Sequence, residues 1–310
     1  MLKQSASIVP QNWLFSLWKF SRPHTIIGTS LSVLGLYLLT IGITSTNFSL
    51  IHIPQILGAW LACICGNIYI VGLNQLEDIE IDRINKPSLP LASGEFTIKQ
   101  GQLIVITTGI LALTIAGFNS PYLLGMVGIS LTIGTAYSLP PIRLKQYPFF
   151  AALCIFSVRG TIVNLGLFLH FSWLLQRSQS IPGAVWILTI FILVFTFAIA
   201  IFKDIPDMEG DKLYHITTFT IQLGQKKVFN LAIWVLTTCY LGMILSGVFT
   251  LNEVNKIFLL ISHIIPLSLL WIESRKVDID NKTQIADLYQ FIWKLFFIEY
   301  LIFPIAGILG

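Results

Sequence analysis

Acidic residues are concentrated in two short stretches of this 310-residue chain, which together hold eight of its fifteen Asp and Glu residues. The first stretch, NQLEDIEIDRINKP, covers Asn74 to Pro87 and follows a segment from Thr25 to Leu76 that has no charged residue. The second, KDIPDMEGD, covers Lys203 to Asp211. Carboxylates that gather directly after apolar segments indicate a polar site at the ends of those segments.

The spacing within each stretch predicts which side chains act together. At 3.6 residues per turn, positions three, four or seven apart lie on one side of an α-helix. Six side chains meet this condition, three in each stretch: Asn74, Asp78 and Asp82, and Asp204, Asp207 and Asp211. Pro206 predicts a kink or an unwound turn in the second stretch. Glu77 and Glu80 fall off the shared face, and we expect them to be ordinary solvated charges.

Aligned carboxylates repel one another, so a helix would not acquire them for stability. A divalent cation between them removes the repulsion. Mg²⁺ prefers one or two carboxylates together with water and phosphate oxygens. Two facing sets of carboxylates therefore predict a site where Mg²⁺ joins the protein to a diphosphate. The competing interpretation, two solvated loops, is disfavoured because the stretches occupy matching positions along the chain.

The elements that position these side chains follow from composition. Hydrophobic residues make up 55% of the chain and charged residues 11%, against about 25% charged in soluble domains. We therefore expect an all-α, polytopic membrane protein. A helix that crosses the hydrocarbon core needs about 20 apolar residues. Nine segments meet this requirement: 24–43, 52–75, 101–118, 121–139, 148–171, 183–203, 226–249, 255–272 and 288–309.

The distribution of basic residues sets the orientation of the spans. With the N-terminus in the cytoplasm, most of the nineteen Lys and Arg residues fall on the cytoplasmic side, and only Arg177 and Lys256 fall on the other. Both acidic stretches follow even-numbered spans, which predicts that both lie on the cytoplasmic side. The layout favours one membrane domain over 1–310, with two four-helix halves, 24–139 and 148–272, and a ninth helix, 288–309, around a central cavity.

Residues 1–22 are predicted to form an interfacial N-terminal segment. WLFSLWKF, from Trp13 to Phe20, has the apolar side of a helix that lies on the membrane surface. We expect no cleaved signal or transit peptide, because no small-residue cleavage site follows the first apolar run and Arg22, Pro23 and His24 interrupt it.

A diphosphate also requires positive charge. Seven basic residues lie beside helix ends on the cytoplasmic side: Arg22, Arg83, Lys86, Arg143, Lys145, Lys203 and Lys212. The positive-inside rule alone accounts for such residues equally well. Arg159 differs, because CIFSVRGTIVNLG places it inside the fifth span, with Asn164 five residues later. A charge within the bilayer is costly and by default functional. We expect Arg159 to contact an anion in a polar cavity; a snorkelling or structural role is the alternative.

The motif Asn74-x₃-Asp78-x₃-Asp82 with a later Asp207-x₃-Asp211, on nine spans, resembles the UbiA-type intramembrane aromatic prenyltransferases over essentially the whole chain. Within that family, WKFSRPHTIIGTSLSV, SVRGTIVNLG and YQFIWKLFFIEYL are most similar to the homogentisate phytyltransferases of cyanobacteria and plastids. Gln75 departs from the acid that commonly follows the asparagine, a departure that also occurs in the homogentisate branch.

The resemblance implies Mg²⁺-dependent transfer of a phytyl group from phytyl diphosphate to homogentisate with decarboxylation, giving the tocopherol precursor 2-methyl-6-phytyl-1,4-benzoquinol. It implies that Mg²⁺ is held by Asn74, Asp78, Asp82, Asp207 and Asp211, with Asp204 in support. Contacts to the diphosphate or acceptor are expected from seven further residues: Arg22, Lys86, Arg143, Lys145, Arg159, Asn164 and Lys203. The expected partners are these two small molecules and the bilayer, not nucleic acid. The expected location is a cyanobacterial plasma or thylakoid membrane, with the site facing the cytoplasm.

Several alternatives stay open at this point. Solanesyl diphosphate in place of phytyl diphosphate, or chlorophyllide in place of homogentisate, would use the same motifs, because tail length depends on cavity shape. Arg159 can be assigned to the acetate of homogentisate or to the diphosphate. His24 and His215 lie near the cytoplasmic face and are expected to be interfacial. A transporter is disfavoured, because the acids sit at one membrane face and the halves share one orientation.

Overall fold

The computed structural model describes residues 12–214, 216–252 and 254–310 of the chain. Within these ranges every regular element is helical and no strand occurs. The α-helices, in chain order, are α1 (Trp13–Phe20), α2 (Pro23–Ile43), α3 (Ile53–Glu77), α4 (Ile79–Asn85), α5 (Pro90–Ser93), α6 (Ile98–Asn119), α7 (Pro121–Ser138), α8 (Pro148–Phe156), α9 (Val163–Leu174), α10 (Gly183–Phe202), α11 (Met208–Leu213), α12 (Phe219–Leu223), α13 (Gln225–Phe249), α14 (Lys256–Lys276) and α15 (Lys282–Ile308). Short 3₁₀ turns occur at Leu50–His52 and Leu144–Gln146, and a π-helical segment, Ser157–Ile162, joins α8 to α9.

In the part of the chain that the structure describes, eight helical segments are long and apolar enough to cross a membrane: Pro23–Ile43, Leu50–Glu77, Ile98–Asn119, Pro148–Leu174, Gly183–Phe202, Gln225–Phe249, Lys256–Lys276 and Lys282–Ile308. They correspond to eight of the nine predicted spans. The remaining predicted span, 121–139, is the 18-residue helix α7. The prediction of an all-α, polytopic membrane protein is therefore confirmed. Helix α15 begins six residues before its predicted start at 288, because polar residues continue the helix beyond its apolar part.

The spans close into a ring around a cavity. Helix α2 packs against α3, α9 and α15, and α3 packs against α6 and α7. Helix α10 packs against α8, α13 and α15, and α14 packs against α13 and α15. The first and last spans are therefore neighbours, and α15 forms part of the ring. The division of the spans into two four-helix halves stays a prediction.

Two glycines allow particularly close contact between spans. A Cβ atom on Gly35 of α2 would lie 2.5 Å from the backbone oxygen of Tyr300 on α15. A Cβ atom on Gly109 of α6 would lie 2.7 Å from the ring of Tyr69 on α3. Small residues at such crossings let helix backbones approach each other where the hydrophobic effect between helices is absent.

Helix α1 exposes a row of large apolar side chains: Trp13, Leu14, Phe15 and Trp18. Its other side is fastened to the loop between α5 and α6, where Ser16 donates a hydrogen bond of 2.6 Å to Glu95 and Lys19 forms an ion pair with the same carboxylate. Burial raises the pKa of Glu95, but the bonds from Lys19 and Ser16 outweigh it and hold the pKa below its usual range. The interfacial position of this helix stays a prediction; residues 1–11 of the predicted 1–22 segment lie outside the described residues.

Candidate active site

A cavity of about 670 Å³ lies among the spans formed by α2, α3, α7, α8–α9, α10 and α15. The polar part of its wall contains all six side chains that the spacing singled out: Asn74, Asp78, Asp82, Asp204, Asp207 and Asp211. Much of the remaining wall is apolar, and includes Ile70, Val127, Leu131, Ile155 and Phe296. The structure therefore brings the two acidic stretches together at one cavity.

The first acidic stretch is not a single helix, which corrects the expectation of one continuous helical face. Helix α3 ends at Glu77 and α4 begins at Ile79, with Asp78 between them at φ −116° and ψ 20°. A hydrogen bond of 2.7 Å from Asp82 N to Asp78 O preserves one helical turn across the break. For this reason Asn74, Asp78 and Asp82 still face the same cavity.

Asp78 is the carboxylate with the most cationic partners in this stretch. Lys145 Nζ lies 2.7 Å and Arg143 Nη2 3.3 Å from Asp78 Oδ1, and Asn74 donates to the other oxygen at 3.0 Å. Both cations come from the loop between α7 and α8. Burial lowers the pKa of Lys145, and the adjacent Asp78 opposes that change. The loop between α7 and α8 therefore contacts the chain at the helix break.

Two arginines at the polar end have left-handed backbone conformations, Arg22 at φ 53° and Arg143 at φ 37°. This region costs a non-glycine residue about 1–3 kcal/mol and is enriched at functional sites. The Arg22 side chain lines the cavity and donates to Asn74 Oδ1 at 3.3 Å. Arg143 donates to Asp78 but is not part of the cavity wall. In both cases a strained backbone accompanies a guanidinium group that contacts the first acidic stretch.

The second acidic stretch contains the unwound turn that Pro206 predicts. Helix α10 ends at Phe202, the turn covers residues 203–207, and Asp207 precedes α11. Lys203 Nζ lies 2.9 Å from Asp204 Oδ1, and both side chains line the cavity. Burial raises the pKa of Asp204, although Lys203 opposes the effect.

Asn85 and Lys86, at the end of α4, join the two acidic stretches. Lys86 forms an ion pair with Asp207. The Asn85 side chain accepts a hydrogen bond of 2.9 Å from Gly210 N and donates one of 3.4 Å to Asp211 Oδ1. The sequence interpretation included Lys86 but missed Asn85. Its position, three residues after Asp82, was the available signal, although spacing alone does not show that α11 lies opposite.

Two carboxylates at the junction, Asp82 and Asp211, form no ion pair within the described ranges. Asp82 is buried, and its Oδ2 atom makes no hydrogen bond there. Burial raises the pKa of Asp82. Burial, and then the neighbouring charge of Asp207, raise the pKa of Asp211 to about 7. Buried, unneutralised carboxylates on facing elements fit a divalent cation.

The geometry also limits how such a cation would be held. No group of three or more His, Cys, Asp or Glu side chains in the described part of the chain converges as a complete metal site. The carboxylates instead line one cavity from two segments, Asp78 with α4 and the turn 203–207 with α11. This arrangement fits Mg²⁺, which takes a few protein oxygens and completes its shell with water and phosphate oxygens.

Several predicted residues have other surroundings. Arg83 pairs with Glu80 at the surface, and both are exposed, as expected for a solvated Glu80. Lys212 is also exposed. Asn164 does not line the cavity: it is fully buried, donates to Gly160 O at 2.6 Å and accepts from the Tyr300 hydroxyl at 2.8 Å. Its amide therefore connects two helices in this structure. The sequence instead predicts that it contacts a substrate.

Arg159 lies in the π-helical segment and lines the cavity. Its Cζ atom is 5.0 Å from the ring centre of Trp293 and 5.6 Å from that of Phe296. Widened helical turns of this kind are rare and occur frequently at functional sites. The structure therefore places the guanidinium group in a cavity, as expected, although its anion is not identified by these contacts.

Helix α15 contributes an aromatic face that the sequence interpretation missed. Tyr289, Trp293, Phe296 and Tyr300 all line the cavity. Their spacing of four, three and four residues was a helical signal in the sequence. His24, expected to be interfacial, also lines the cavity, with its ring 4.8 Å from that of Trp293. His215 lies outside the described residues.

Comparisons with known proteins identify relatives along almost the whole chain. The UbiA prenyltransferase family matches residues 31–295. The chain is 55% identical over 292 residues to the homogentisate phytyltransferase of Synechocystis sp., covering 94% of this chain and 95% of that protein. It is 38% identical to the homogentisate solanesyltransferase of Arabidopsis thaliana, covering 93% and 75%. The fold is similar to that of a UbiA homolog from Archaeoglobus fulgidus bound to GPP and Mg²⁺, with a TM-score of 0.63, 16% identity, and coverage of 94% and 99%.

Proposed function

Because the chain belongs to the UbiA prenyltransferase family, we propose that it transfers a phytyl group from phytyl diphosphate to homogentisate in an Mg²⁺-dependent, decarboxylating reaction. The product is 2-methyl-6-phytyl-1,4-benzoquinol. The observation that carries the proposal is the junction of two acidic stretches, through Asn85 and Lys86, at the polar end of an otherwise largely apolar cavity. The 55% identity to a homogentisate phytyltransferase supports this choice of substrates.

The reaction balances as follows. The C–O bond between the allylic carbon and the diphosphate breaks, and its electron pair leaves with the diphosphate. A ring carbon of homogentisate forms the new C–C bond and gives up its proton. The acetate loses CO₂, and the remaining methylene carbon takes up one proton to become a methyl group. The two proton movements cancel, so the organic groups release no net proton.

The diphosphate occupies the polar end of the cavity in this proposal. Mg²⁺ would be held by Asn74, Asp78, Asp82, Asp207 and Asp211. When bound, it would neutralise charge on the leaving diphosphate. Arg22, Lys86 and Lys203 line the same region and supply further positive charge. Lys86 and Lys203 now pair with Asp207 and Asp204, and can shift toward a diphosphate once a cation occupies those carboxylates. Arg143 and Lys145 act on Asp78 and thereby orient it.

The apolar part of the cavity accommodates the prenyl tail and excludes water. Water would trap an allylic cation before the ring attacks it, so the chemistry depends on a dry site. Ile70, Val127, Leu131 and Ile155 line this region. Transfer of a solanesyl group to homogentisate is the second candidate; it would use the same polar site and is supported by the 38% identity to a homogentisate solanesyltransferase.

The chain is an integral membrane protein, and we place the polar end of its cavity on the cytoplasmic side of a cyanobacterial plasma or thylakoid membrane. The excess of basic residues in the loops on that side supports this orientation. Homogentisate and the released diphosphate are water-soluble, so a cytoplasmic opening lets the first enter and the second leave.

The experiment that tests the function uses the purified protein in lipid vesicles with Mg²⁺ and homogentisate. Labelled phytyl, geranylgeranyl and solanesyl diphosphates are supplied separately, and products are identified by mass spectrometry. We expect a decarboxylated phytyl product as the main one. A preference for solanesyl diphosphate would favour the second candidate, and no prenylated homogentisate with any donor would refute both.

A further inference from the structure

Arg159 is a cation without an acidic partner in the part of the chain that the structure describes. None of the ion pairs there includes it, and its guanidinium group makes no hydrogen bond to a described residue. The ionisable groups around it are Tyr289, Tyr300 and His24. An arginine stays protonated in proteins, so this cavity wall presents a permanent positive charge for a ligand.

Rigid contacts hold that charge in place. Trp293 and Phe296 lie within 5.6 Å of Arg159 Cζ, which provides cation–π stabilisation. A Cβ atom at Gly28 would lie 3.3 Å from Arg159 Nη1 and 3.5 Å from the Phe296 ring, so α2 also closely approaches the guanidinium group. The Tyr300–Asn164–Gly160 hydrogen bonds fasten α15 to the π-helical segment that contains Arg159. The position is therefore determined by three helical segments before any ligand binds.

The chemistry around Arg159 favours a carboxylate on a flat ring over a diphosphate. The acidic end of the cavity already has its own cations, and these contact the two acidic stretches: Arg22, Lys86, Arg143, Lys145 and Lys203. Arg159 contacts none of those acids and instead lies among the aromatic rings of α15. Guanidinium groups bind carboxylates through two parallel hydrogen bonds, and aromatic rings pack against a ligand ring.

From this juxtaposition we propose that Arg159, beside Trp293 and His24, binds the carboxylate of the aromatic acceptor. The inference rests on the proposed function and names the subsite in the cavity where the acceptor is recognised. The His24 ring lies 4.8 Å from that of Trp293, and Arg22, two residues earlier, reaches the first acidic stretch. The acceptor subsite is thus adjacent to the diphosphate end, which brings the ring close to the allylic carbon.

The test compares homogentisate with its neutral amide, 2,5-dihydroxyphenylacetamide, in wild-type protein and in Arg159→Gln. Affinities are measured as the KM of homogentisate and the inhibition constant of the amide against it. A hydrogen bond to a charged group contributes about 1.5–3 kcal/mol, which corresponds to about 10- to 150-fold. In the wild type we expect the amide to bind more weakly by that factor. In Arg159→Gln, the affinity for homogentisate should fall to that for the amide. The KM of phytyl diphosphate should change less than threefold. Arg159→Lys should recover only part of the difference, because lysine lacks the planar fork.

Several results would overturn the assignment. Equal affinity of the wild type for homogentisate and its amide would overturn it. This comparison uses no variant, so it does not depend on whether a variant folds. A preference for the acid over the amide that persists in Arg159→Gln would also overturn it. So would a variant in which only the KM of phytyl diphosphate rises, because that result would assign Arg159 to the diphosphate. If the wild type phytylates homogentisate but Arg159→Gln still binds homogentisate more tightly than the amide, only this inference fails. If the wild type forms no prenylated homogentisate, the proposed function fails first.

Discussion

Asp211 permits a direct test of whether a divalent cation belongs at the junction of the acidic stretches. The residue is 7% exposed, and Asn85 contacts its carboxylate at 3.4 Å. Burial and the neighbouring Asp207 raise its pKa from 3.8 to about 7. At about 1.4 kcal/mol per pKa unit, ionising Asp211 in the folded, cation-free protein costs at most about 4 kcal/mol.

The sign of the pH dependence follows from that difference. Because the folded-state pKa lies above the unfolded value, the stabilising contribution of Asp211 is complete below about pH 4. It is lost as the pH rises to about 7. Asp211→Asn removes the ionisation. In EDTA at pH 8 we therefore expect this variant to be more stable than the wild type, by at most about 4 kcal/mol, or about 8 °C at about 2 °C per kcal/mol. The advantage should shrink at pH 5.

The assay is thermal unfolding of detergent-solubilised protein, first in EDTA and then with Mg²⁺ and inorganic diphosphate. Ligands that bind only the folded state raise its stability, so the wild type should gain more from Mg²⁺ and diphosphate than Asp211→Asn does. Asp207→Asn is the matched control, because Asp207 already pairs with Lys86 and its neutralisation should lower the midpoint in EDTA. A lower midpoint for Asp211→Asn than for the wild type in EDTA at pH 8, or an equal gain from Mg²⁺ and diphosphate in both, would refute the reasoning.

Three further predictions concern the same region. Asp78→Ala should reduce phytyl transfer at least about 100-fold while the protein stays in the membrane, because it removes a proposed Mg²⁺ ligand and losing one group that stabilises transition-state charge costs about 100- to 1000-fold; activity within threefold of wild type at saturating Mg²⁺ would contradict this. Gly210→Ala should raise the Mg²⁺ concentration for half-maximal activity by about 5- to 150-fold, since its Cβ would lie 2.5 Å from Asn85 Oδ1 and a stranded backbone N–H costs about 1–3 kcal/mol. Gly125→Ala, which meets nothing within 4 Å, should leave it unchanged. Cysteines at Ser88 and Tyr214, in a background without native cysteines, should be labelled from the same, cytoplasmic side; labelling from opposite sides would exclude this topology.

Much of the fold could be predicted from the sequence because the bilayer imposes a length and an apolar composition on every span. Eight of the nine predicted segments correspond to helices that are long and apolar enough to cross a membrane, and the ninth corresponds to the 18-residue helix α7. The aligned oxygens of Asn74, Asp78 and Asp82 could also be predicted, because helical periodicity relates positions within one segment. Even where the helix breaks at Asp78, the hydrogen bond from Asp82 N to Asp78 O keeps that relation.

Periodicity describes one helix at a time, and for that reason it did not show which faces meet. The bridge from Asn85 to Gly210 exists only because α4 lies against α11. The hydrogen bond from Tyr300 on α15 to Asn164 on α9 could not be predicted in the same way, because it joins helices that are distant in the sequence.

The sequence by itself determined the membrane-spanning helices, the two sets of carboxylates and a charge at Arg159, since each follows from local composition and spacing. The tertiary structure decided which of those groups are neutralised. Asp78 and Asp207 meet lysines from distant segments, whereas Asp82 and Asp211 meet none in the described part of the chain. It also surrounded Arg159 with aromatic rings of α15 and with no carboxylate there. Electrostatic energy depends on distance and burial in three dimensions, and neither quantity is contained in the order of residues along the chain.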